Sequence, residues 1–524
     1  MPRNAPISRR DVLKLLSLLP AIYGYEAIRR ALPTPLRAGP TGNGPGVIVI
    51  VLDALSALNM SLYGYPRKTT PNMERFARRS NVYHAHYSTS NFTSSGTASL
   101  LTGTYPWTHR TFHYQGSIQP EKVDANIFRY WGDAGPRIGY TQNPWVDILF
   151  YQFSRWLDMH VDLREFAHGE NPLYSTLFKR DPIVSFKSTS SYVFEMEPGI
   201  SSVPLLSLVR KAQLVLGKKA MDETYVLTYP NGIARTLNDV NVYFLLEELF
   251  DGLMGFLEKV PPSALAYIHL YPPHHPYAPR KEFVEAMQDD WRPAVKSPAY
   301  FLDSVNDEIE TATQKERDQY DAYIATVDSE FGRLIDSMER NGIFDHNYVV
   351  LTSDHGDLYE RGVVGHVNEY LYEPLVRIPL IISSPGQKLQ HDVFSPTSGV
   401  DIVPTLLSLA GRPVPLESEG VLLPGLGGVD DFQRSIFSID TKSTHVRGPI
   451  RTATVSLRKG NYKLIAYLGY EGMNDGFELF DLQNDPEEMN NLVQSKPETL
   501  KDLRNEIDLK LREVNRPYLS PAND

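Results

Sequence analysis

Three largely apolar runs, the first of them continuously β-branched and aliphatic and each stopping at a polar cluster, set the strongest limit on what this chain can fold into. Residues 47–52 end at Asp53, residues 264–271 run into Pro272-Pro273-His274-His275-Pro276-Tyr277, and residues 347–352 run into Ser353-Asp354-His355-Gly356-Asp357. Runs without polar alternation are the pattern of strands buried on both faces, which occur in parallel sheets covered by helices. Helical periodicity fills the intervals at 72–79, 239–259 and 315–341, where Tyr320, Ile324, Val327, Phe331 and Ile335 recur at three- and four-residue steps. Strands alternating with helices predict an α/β sheet. Ligands of such sheets bind beyond the carboxyl ends of the strands, so Asp53, His274, Asp354 and His355 converge if their strands are neighbours.

Around this core the 524 residues divide by composition. Residues 1–46 hold Ser8-Arg9-Arg10-Asp11-Val12-Leu13-Lys14 ahead of a short apolar run, 15–23, interrupted by Pro20. That pattern resembles a twin-arginine export signal and predicts an extracytoplasmic protein. The run is too short to span a bilayer, which takes about 20 apolar residues. No small-x-small cleavage site stands out, which leaves open a membrane tether through an uncleaved N-terminal segment. The Pro- and Gly-rich stretch 33–46 reads as a linker. Residues 47–430 form the predicted catalytic domain, with 117–236, rich in aromatics and poor in periodicity, read as a variable, substrate-facing insertion. Residues 431–524 change to short strand candidates at 453–457 and 462–466 and a charged helix at 497–514, a smaller C-terminal α+β subdomain.

A formal charge of −11 argues against nucleic acid as a partner, because a phosphate-backbone binder needs a basic stripe. The chain has no cysteine, which closes disulfides, thiolate metal sites and any mechanism that oxidises a cysteine to an aldehyde. An Asp at one strand end and an Asp-His pair at another supply oxygen and nitrogen ligands, a set suited to one divalent ion: Ca, Mg, Mn or Zn. Between them, Ser90-Asn91-Phe92-Thr93-Ser94-Ser95-Gly96-Thr97-Ala98-Ser99-Leu100-Leu101-Thr102-Gly103 opens a helix. Thr93 or Ser94 can be read there as a simple N-cap. A helix N-terminus also offers N–H groups and a positive dipole to a sulfate or phosphate, and a hydroxyl at that place can attack.

Several stretches resemble one family in order and spacing. They are Leu62-Tyr63-Gly64-Tyr65-Pro66 through Thr70-Pro71-Asn72-Met73-Glu74-Arg75-Phe76-Ala77, Leu100-Leu101-Thr102-Gly103, Pro273-His274-His275-Pro276-Tyr277 and Thr352-Ser353-Asp354-His355-Gly356-Asp357. To these add Leu371-Tyr372-Glu373-Pro374 through Arg377-Ile378-Pro379-Leu380, Val400-Asp401-Ile402-Val403-Pro404-Thr405-Leu406, and the tail Glu478-Leu479-Phe480-Asp481-Leu482 to Asn490-Asn491-Leu492. The chain is similar to the sulfatase family of the alkaline phosphatase superfamily. That resemblance implies an alkaline-phosphatase-like, mostly parallel sheet flanked by helices, and a hydrolase of sulfate or phosphate esters. It implies metal ligands at Asp53, Asp354 and His355, and a nucleophile at Thr93 that also touches the ion. It gives His274 the transferred group or the leaving oxygen, His366 a cationic, charge-stabilising place, and His109 a weaker substrate contact of the same kind. The expected substrate is a small-molecule, glycan or lipid ester.

The resemblance breaks at informative points. Sulfatases proper carry Cys or Ser at the nucleophile, followed by x-Pro-Ser-Arg, and convert it to formylglycine. Here the window reads Thr93-Ser94-Ser95-Gly96-Thr97, so formylglycine is not expected. A second acidic position after the first strand is also missing, since Ser56-Ala57-Leu58-Asn59 holds no carboxylate. A threonine nucleophile resembles the phosphotransferase and phosphodiesterase relatives, which move a phospho-group to an acceptor alcohol. A non-catalytic binding protein that keeps the fold is the third reading.

Overall fold

The computed structural model describes residues 42, 44–113, 116–168, 223–236 and 243–519. The twin-arginine-like segment and most of the linker lie outside the described residues. Among the described residues no helix is long and apolar enough to cross a membrane.

The central sheet has eight strands: β1 (Gly46–Leu52), β2 (Asn81–Tyr83), β3 (Arg137–Thr141), β4 (Met159–Val161), β5 (Leu265–Leu270), β6 (Asn347–Thr352), β7 (Leu380–Ser383) and β8 (His391–Val393). Their order is β8-β2-β7-β6-β1-β5-β3-β4. All pairings are parallel except those of β7, which runs antiparallel to both β6 and β2. The three apolar runs are therefore the adjacent strands β6, β1 and β5. The register sets Leu52 beside Leu270 and Val51 beside Thr352, which brings the residues following β1 and β6 to one edge.

Both faces of β1 are covered, which explains its lack of polar alternation. Ile48, Ile50 and Leu52 belong to a core shared with Tyr320, Val327 and Phe331 of the long helix Asp307–Arg340. Val47, Val49 and Val51 pack in a second core with Leu101, Leu149 and Phe150. Each such side chain contributes about 1.5–3 kcal/mol by leaving water.

The predicted insertion at 117–236 needs correction in its first part. Arg137–Thr141 and Met159–Val161 are β3 and β4, and Pro144–Gln152 is a helix whose Val146, Leu149 and Phe150 are buried against the sheet. These strands are five and three residues long, and β3 carries Arg137 and Gly139, so neither forms an apolar run that stands out in sequence. Residues 169–222 of the same stretch lie outside the described residues.

The C-terminal subdomain is a four-stranded antiparallel sheet in sequential order, β9 (Ile436–Asp440), β10 (Ala453–Lys459), β11 (Tyr462–Leu468) and β12 (Gly476–Asp481), covered by a helix at Pro497–Asn515. Leu503 and Ile507 of that helix share a core with Val455, Leu457 and Leu464. Ion pairs, that of Lys463 buried and that of Arg434 half-buried, tie the subdomain to the catalytic domain. Lys463 on β11 lies 2.9 Å from Glu373 and 2.9 Å from Glu488, and Arg434 meets both oxygens of Asp401 at 2.6 Å. Removing the cation from between two buried carboxylates leaves them uncompensated. We expect Lys463→Met to cost about 3–5 kcal/mol in urea denaturation. A loss below about 1 kcal/mol would show that the pair is not desolvated in solution.

Candidate active site

β1 ends at Leu52, and the chain turns at Ala54, a non-glycine residue at φ 60°. This left-handed conformation costs about 1–2 kcal/mol. It lets the Ala54 N–H donate to Asp354 Oδ1 at 3.3 Å, across from β1 to the residue after β6. Asp354 Oδ1 also accepts from the His355 N–H at 3.1 Å, and Oδ2 accepts from Thr97 Oγ1 at 3.4 Å. Asp53, Asp354 and His355 are fully buried, and one ligand atom from each lies within 4.8 Å of the others.

The two carboxylates are shaped to present oxygens to one point. Asp53 Oδ2 accepts from Asn143 Nδ2 at 2.5 Å and lies 3.1 Å from His269 Nε2, while Asp53 Oδ1 is buried without a hydrogen-bond partner. His355 Nδ1 donates to the Gly356 carbonyl at 2.8 Å, so its Nε2 faces the carboxylates, 3.6 Å from Asp53 Oδ1 and 3.7 Å from Asp354 Oδ2. A ring nitrogen fixed by a backbone carbonyl, with the other left as a lone pair, is the usual arrangement of a metal-bound histidine. Burial works against ionised Asp53, but the surrounding His274, His269 and His355 outweigh it and hold its carboxyl below the ordinary range. Burial and then the Asp53 charge push Asp354 up. A divalent cation removes that conflict, and the orphaned Asp53 oxygen with the O,O,N donor set fits one.

The helix Thr93–Thr102 approaches this group end-on. Its N-cap is Phe92, not Thr93 or Ser94, and Phe92 has no side-chain acceptor. The capping reading of Thr93 is thereby corrected: it is the first residue of the helix, and its hydroxyl lies 3.2 Å from His355 Nε2. Close approach depends on Gly96, where an added Cβ would fall 2.3 Å from the Asp354 carbonyl oxygen. This explains the glycine inside an otherwise hydroxyl-rich helix.

His274 and His366 complete the group. The His274 and His366 rings are 4.9 Å apart, and the His366 and His355 rings 4.3 Å apart. His274 Nδ1 donates to the His275 carbonyl, and His366 Nδ1 lies 3.0 Å from Asp357 Oδ1, so all three imidazoles are pinned through Nδ1. Burial holds His274 down to about 4 and drives His366 well below the ordinary histidine value. For the charge-stabilising place expected of His366, burial works against its cationic form, while Asp357 beside Nδ1 is the acid placed to support it. Burial pushes its partner Asp357 up to about 7, although Tyr277 and Tyr359 both donate to that carboxylate.

His109 is not brought to the group. Its Nε2 lies 3.0 Å from Ser99 Oγ and its Nδ1 accepts from the Thr111 N–H at 3.1 Å, which occupies both nitrogens. The missing second acidic position has a structural account: Asn59 donates to Asp321 at 2.8 Å and the Ser56 N–H bonds the Tyr320 hydroxyl at 2.9 Å, so this loop is spent on the long helix. Sequence reading missed Asn143 and His269. His269 had a signal, a polar residue inside the apolar run 264–271; Asn143 follows the short β3 and had none. Both hold Asp53, and we expect Asn143→Ala and His269→Ala each to weaken divalent-ion affinity by about 10–100-fold in competition with a chelating dye. Unchanged affinity in both would show that Asp53 needs no such support.

Residues 45–412 match the Sulfatase family over most of the chain. The chain belongs to the sulfatase family. Residues 365–516 also match the family described as N-sulphoglucosamine sulphohydrolase, C-terminal. The choline-sulfatase of Rhizobium meliloti (strain 1021) is 25% identical over 478 residues, 87% of this chain and 83% of that protein. Arylsulfatase K of Bos taurus is 32% identical over 218 residues, 39% of this chain and 37% of that protein. Among solved structures, the phosphonate monoester hydrolase of Agrobacterium radiobacter superposes with a TM-score of 0.61 at 16% identity, covering 90% of this chain and 95% of that one. A 2-O GAG sulfatase gives a TM-score of 0.60 at 16% identity, covering 92% and 95%. These likenesses establish the alkaline-phosphatase-like fold with its C-terminal antiparallel subdomain. As a sulfatase-family ester hydrolase, the protein carries its buried Asp53-Asp354-His355 group where the sheet topology places a binding site.

Proposed function

We propose that the protein hydrolyses a sulfate or phosphate ester with Thr93 as the nucleophile, without formylglycine. The observation that carries this reading is the position of the Thr93 hydroxyl: first residue of its helix, uncapped, buried, and 3.2 Å from His355 Nε2. Asp53 Oδ1, an Asp354 oxygen, His355 Nε2 and Thr93 Oγ1 would hold one divalent ion. Such an ion favours ionisation of a neighbouring hydroxyl and neutralises ester oxygens.

The Thr93 hydroxyl would first give its proton to solvent. The resulting Oγ1 alkoxide would form the bond to sulfur or phosphorus as the bond to the alcohol oxygen breaks, to be released again as the alkoxide when the threonine ester is hydrolysed. The β-branched side chain keeps Oγ1 in few rotamers, which limits the entropy of alignment. His274, with Nδ1 fixed on a carbonyl, presents Nε2. An incoming anion raises the proton affinity of that neutral imidazole, in the direction needed to protonate the departing oxygen. In the second step water attacks the threonine ester, and His274 Nε2 takes the proton it gave. The near-complete burial of the group keeps bulk water from competing with that ordered attack.

Proteins with this fold include a phosphonate monoester hydrolase and a protein solved in complex with its substrate D-glucosamine-2-N,6-O-disulfate. The same chemistry serves either element here. The experiment is turnover of paired aryl sulfate, phosphate monoester and phosphodiester by the metal-loaded protein beside Thr93→Ala. Loss of the preferred activity in the variant supports the reading, and retained activity overturns it.

Export by the twin-arginine route is part of the same proposal, resting on Ser8-Arg9-Arg10-Asp11-Val12-Leu13-Lys14. Replacing Arg9 and Arg10 by lysine should leave the protein inside the cytoplasm on fractionation. Unchanged export would assign the segment another role.

A further inference from the structure

Where sulfatases proper carry an arginine in the nucleophile motif, this chain has Thr97, whose hydroxyl is spent on Asp354. The anion-binding end of the helix therefore lacks the cation the motif usually supplies. A lysine from the C-terminal subdomain stands beside it. Lys442 follows β9, and its Nζ lies 4.7 Å from the centre of the Phe92 ring, the residue immediately before Thr93. The same Nζ donates to Asn91 Oδ1 at 3.0 Å and lies 3.1 Å from Asp440 Oδ2.

This placement is built rather than incidental. β9 is hydrogen-bonded to the loop that leads into the helix, with the Ile439 N–H on the Thr89 carbonyl at 2.8 Å and Ser438 Oγ on the Ser88 carbonyl at 2.5 Å. Asn91 is itself fixed, because its Nδ2 donates to the carbonyls of Asn368 and Tyr370, at 2.8 and 2.9 Å, in the loop that carries His366. The amide oxygen of Asn91 is thus aimed at Lys442 by two independent anchors. An ammonium has three donors. Asn91 and Asp440 account for two, and the Phe92 face holds the head in place without taking one.

We propose that Lys442 Nζ binds a non-bridging oxygen of the tetrahedral sulfate or phosphate of the substrate, supplying from the C-terminal subdomain the charge that Thr97 does not. This deepens the reading of the site as an ester hydrolase and rests on it. It also gives the subdomain a part in substrate binding beyond covering the sheet.

The test is calorimetric binding of inorganic sulfate and inorganic phosphate to the Mg2+-loaded full chain, with Lys442→Met, Lys442→Arg and Thr93→Ala compared. A charge-assisted hydrogen bond lost from a desolvated site weakens binding about tenfold or more. Lys442→Met should raise both dissociation constants by that factor, and Lys442→Arg should recover most of the affinity. Thr93→Ala should lose turnover and tests the nucleophile separately from the Lys442 arm. Unchanged anion affinity in Lys442→Met at an unchanged melting temperature overturns the proposal. If Lys442→Met does not fold, Lys442→Gln, which keeps a donor without the charge, carries the same two outcomes. Turnover that survives Thr93→Ala would remove the nucleophile but leave the Lys442 result standing, so the two failures are told apart.

Discussion

Thr93→Ala should lower kcat by about 10³-fold or more, with the divalent ion still bound and the melting temperature nearly unchanged. The residue is the first of its helix and does not cap it, so its removal costs no capping bond. What is lost is the hydroxyl that lies 3.2 Å from His355 Nε2. Thr93→Ser keeps that oxygen but frees its rotamer, and should retain activity within about tenfold of the parent. Steady-state kinetics on the preferred aryl ester, with metal content and thermal melts measured alongside, separates chemistry from folding. An alanine variant as active as the parent would mean that water attacks the ester directly.

Asp354→Asn carries the second large effect. The amide oxygen can still accept from the Ala54 and His355 N–H groups, so the turn after β6 persists. The charge is gone, and divalent-ion affinity should fall by about 10²-fold or more, with turnover at background. Stability should move oppositely in the two metal states. In the metal-free parent, burial and Asp53 push the Asp354 carboxyl up, so the native state pays for its ionisation at neutral pH. That cost is relieved as pH falls through the raised native value towards the ordinary carboxyl value of about 3.9, so over that window the metal-free parent should gain stability relative to Asp354→Asn, the buried His274 and His366 being common to both. The asparagine variant should show neither this acid gain nor the metal-induced gain in melting temperature. A variant that still melts higher with added metal would place the ion elsewhere.

The parts of the fold visible in sequence are those whose burial leaves no choice of residue. β1, β5 and β6 are covered on both faces and are largely apolar, so their ends, Asp53, His274 and Asp354-His355, could be located beforehand. β3 and β4 contribute to the same sheet with short segments that include Arg137 and Gly139, and such strands carry no periodicity above that of a loop. The helix at Thr93–Thr102 was legible as a helix but not in its cap, because the distinction depends on whether the threonine hydroxyl turns inward or outward. Asn143 and Lys442 were invisible for a different reason. Each reaches the site across long sequence separation, from the end of β3 and from the C-terminal subdomain, and only the docking of those elements gives them a partner. His109 shows the converse: a histidine at a suggestive position whose ring is fully occupied by Ser99 and Thr111.

The proposed covalent role of Thr93 is tested most directly by rapid quenching of metal-loaded protein with an aryl ester, followed by peptide mass spectrometry. A good leaving group makes formation of the intermediate outpace its hydrolysis, so a burst of aryl alcohol should accompany a sulfuryl or phosphoryl adduct on the peptide containing Thr93. The same experiment on Thr93→Ala should give neither. An adduct on another residue, or full turnover by Thr93→Ala, would contradict the assignment.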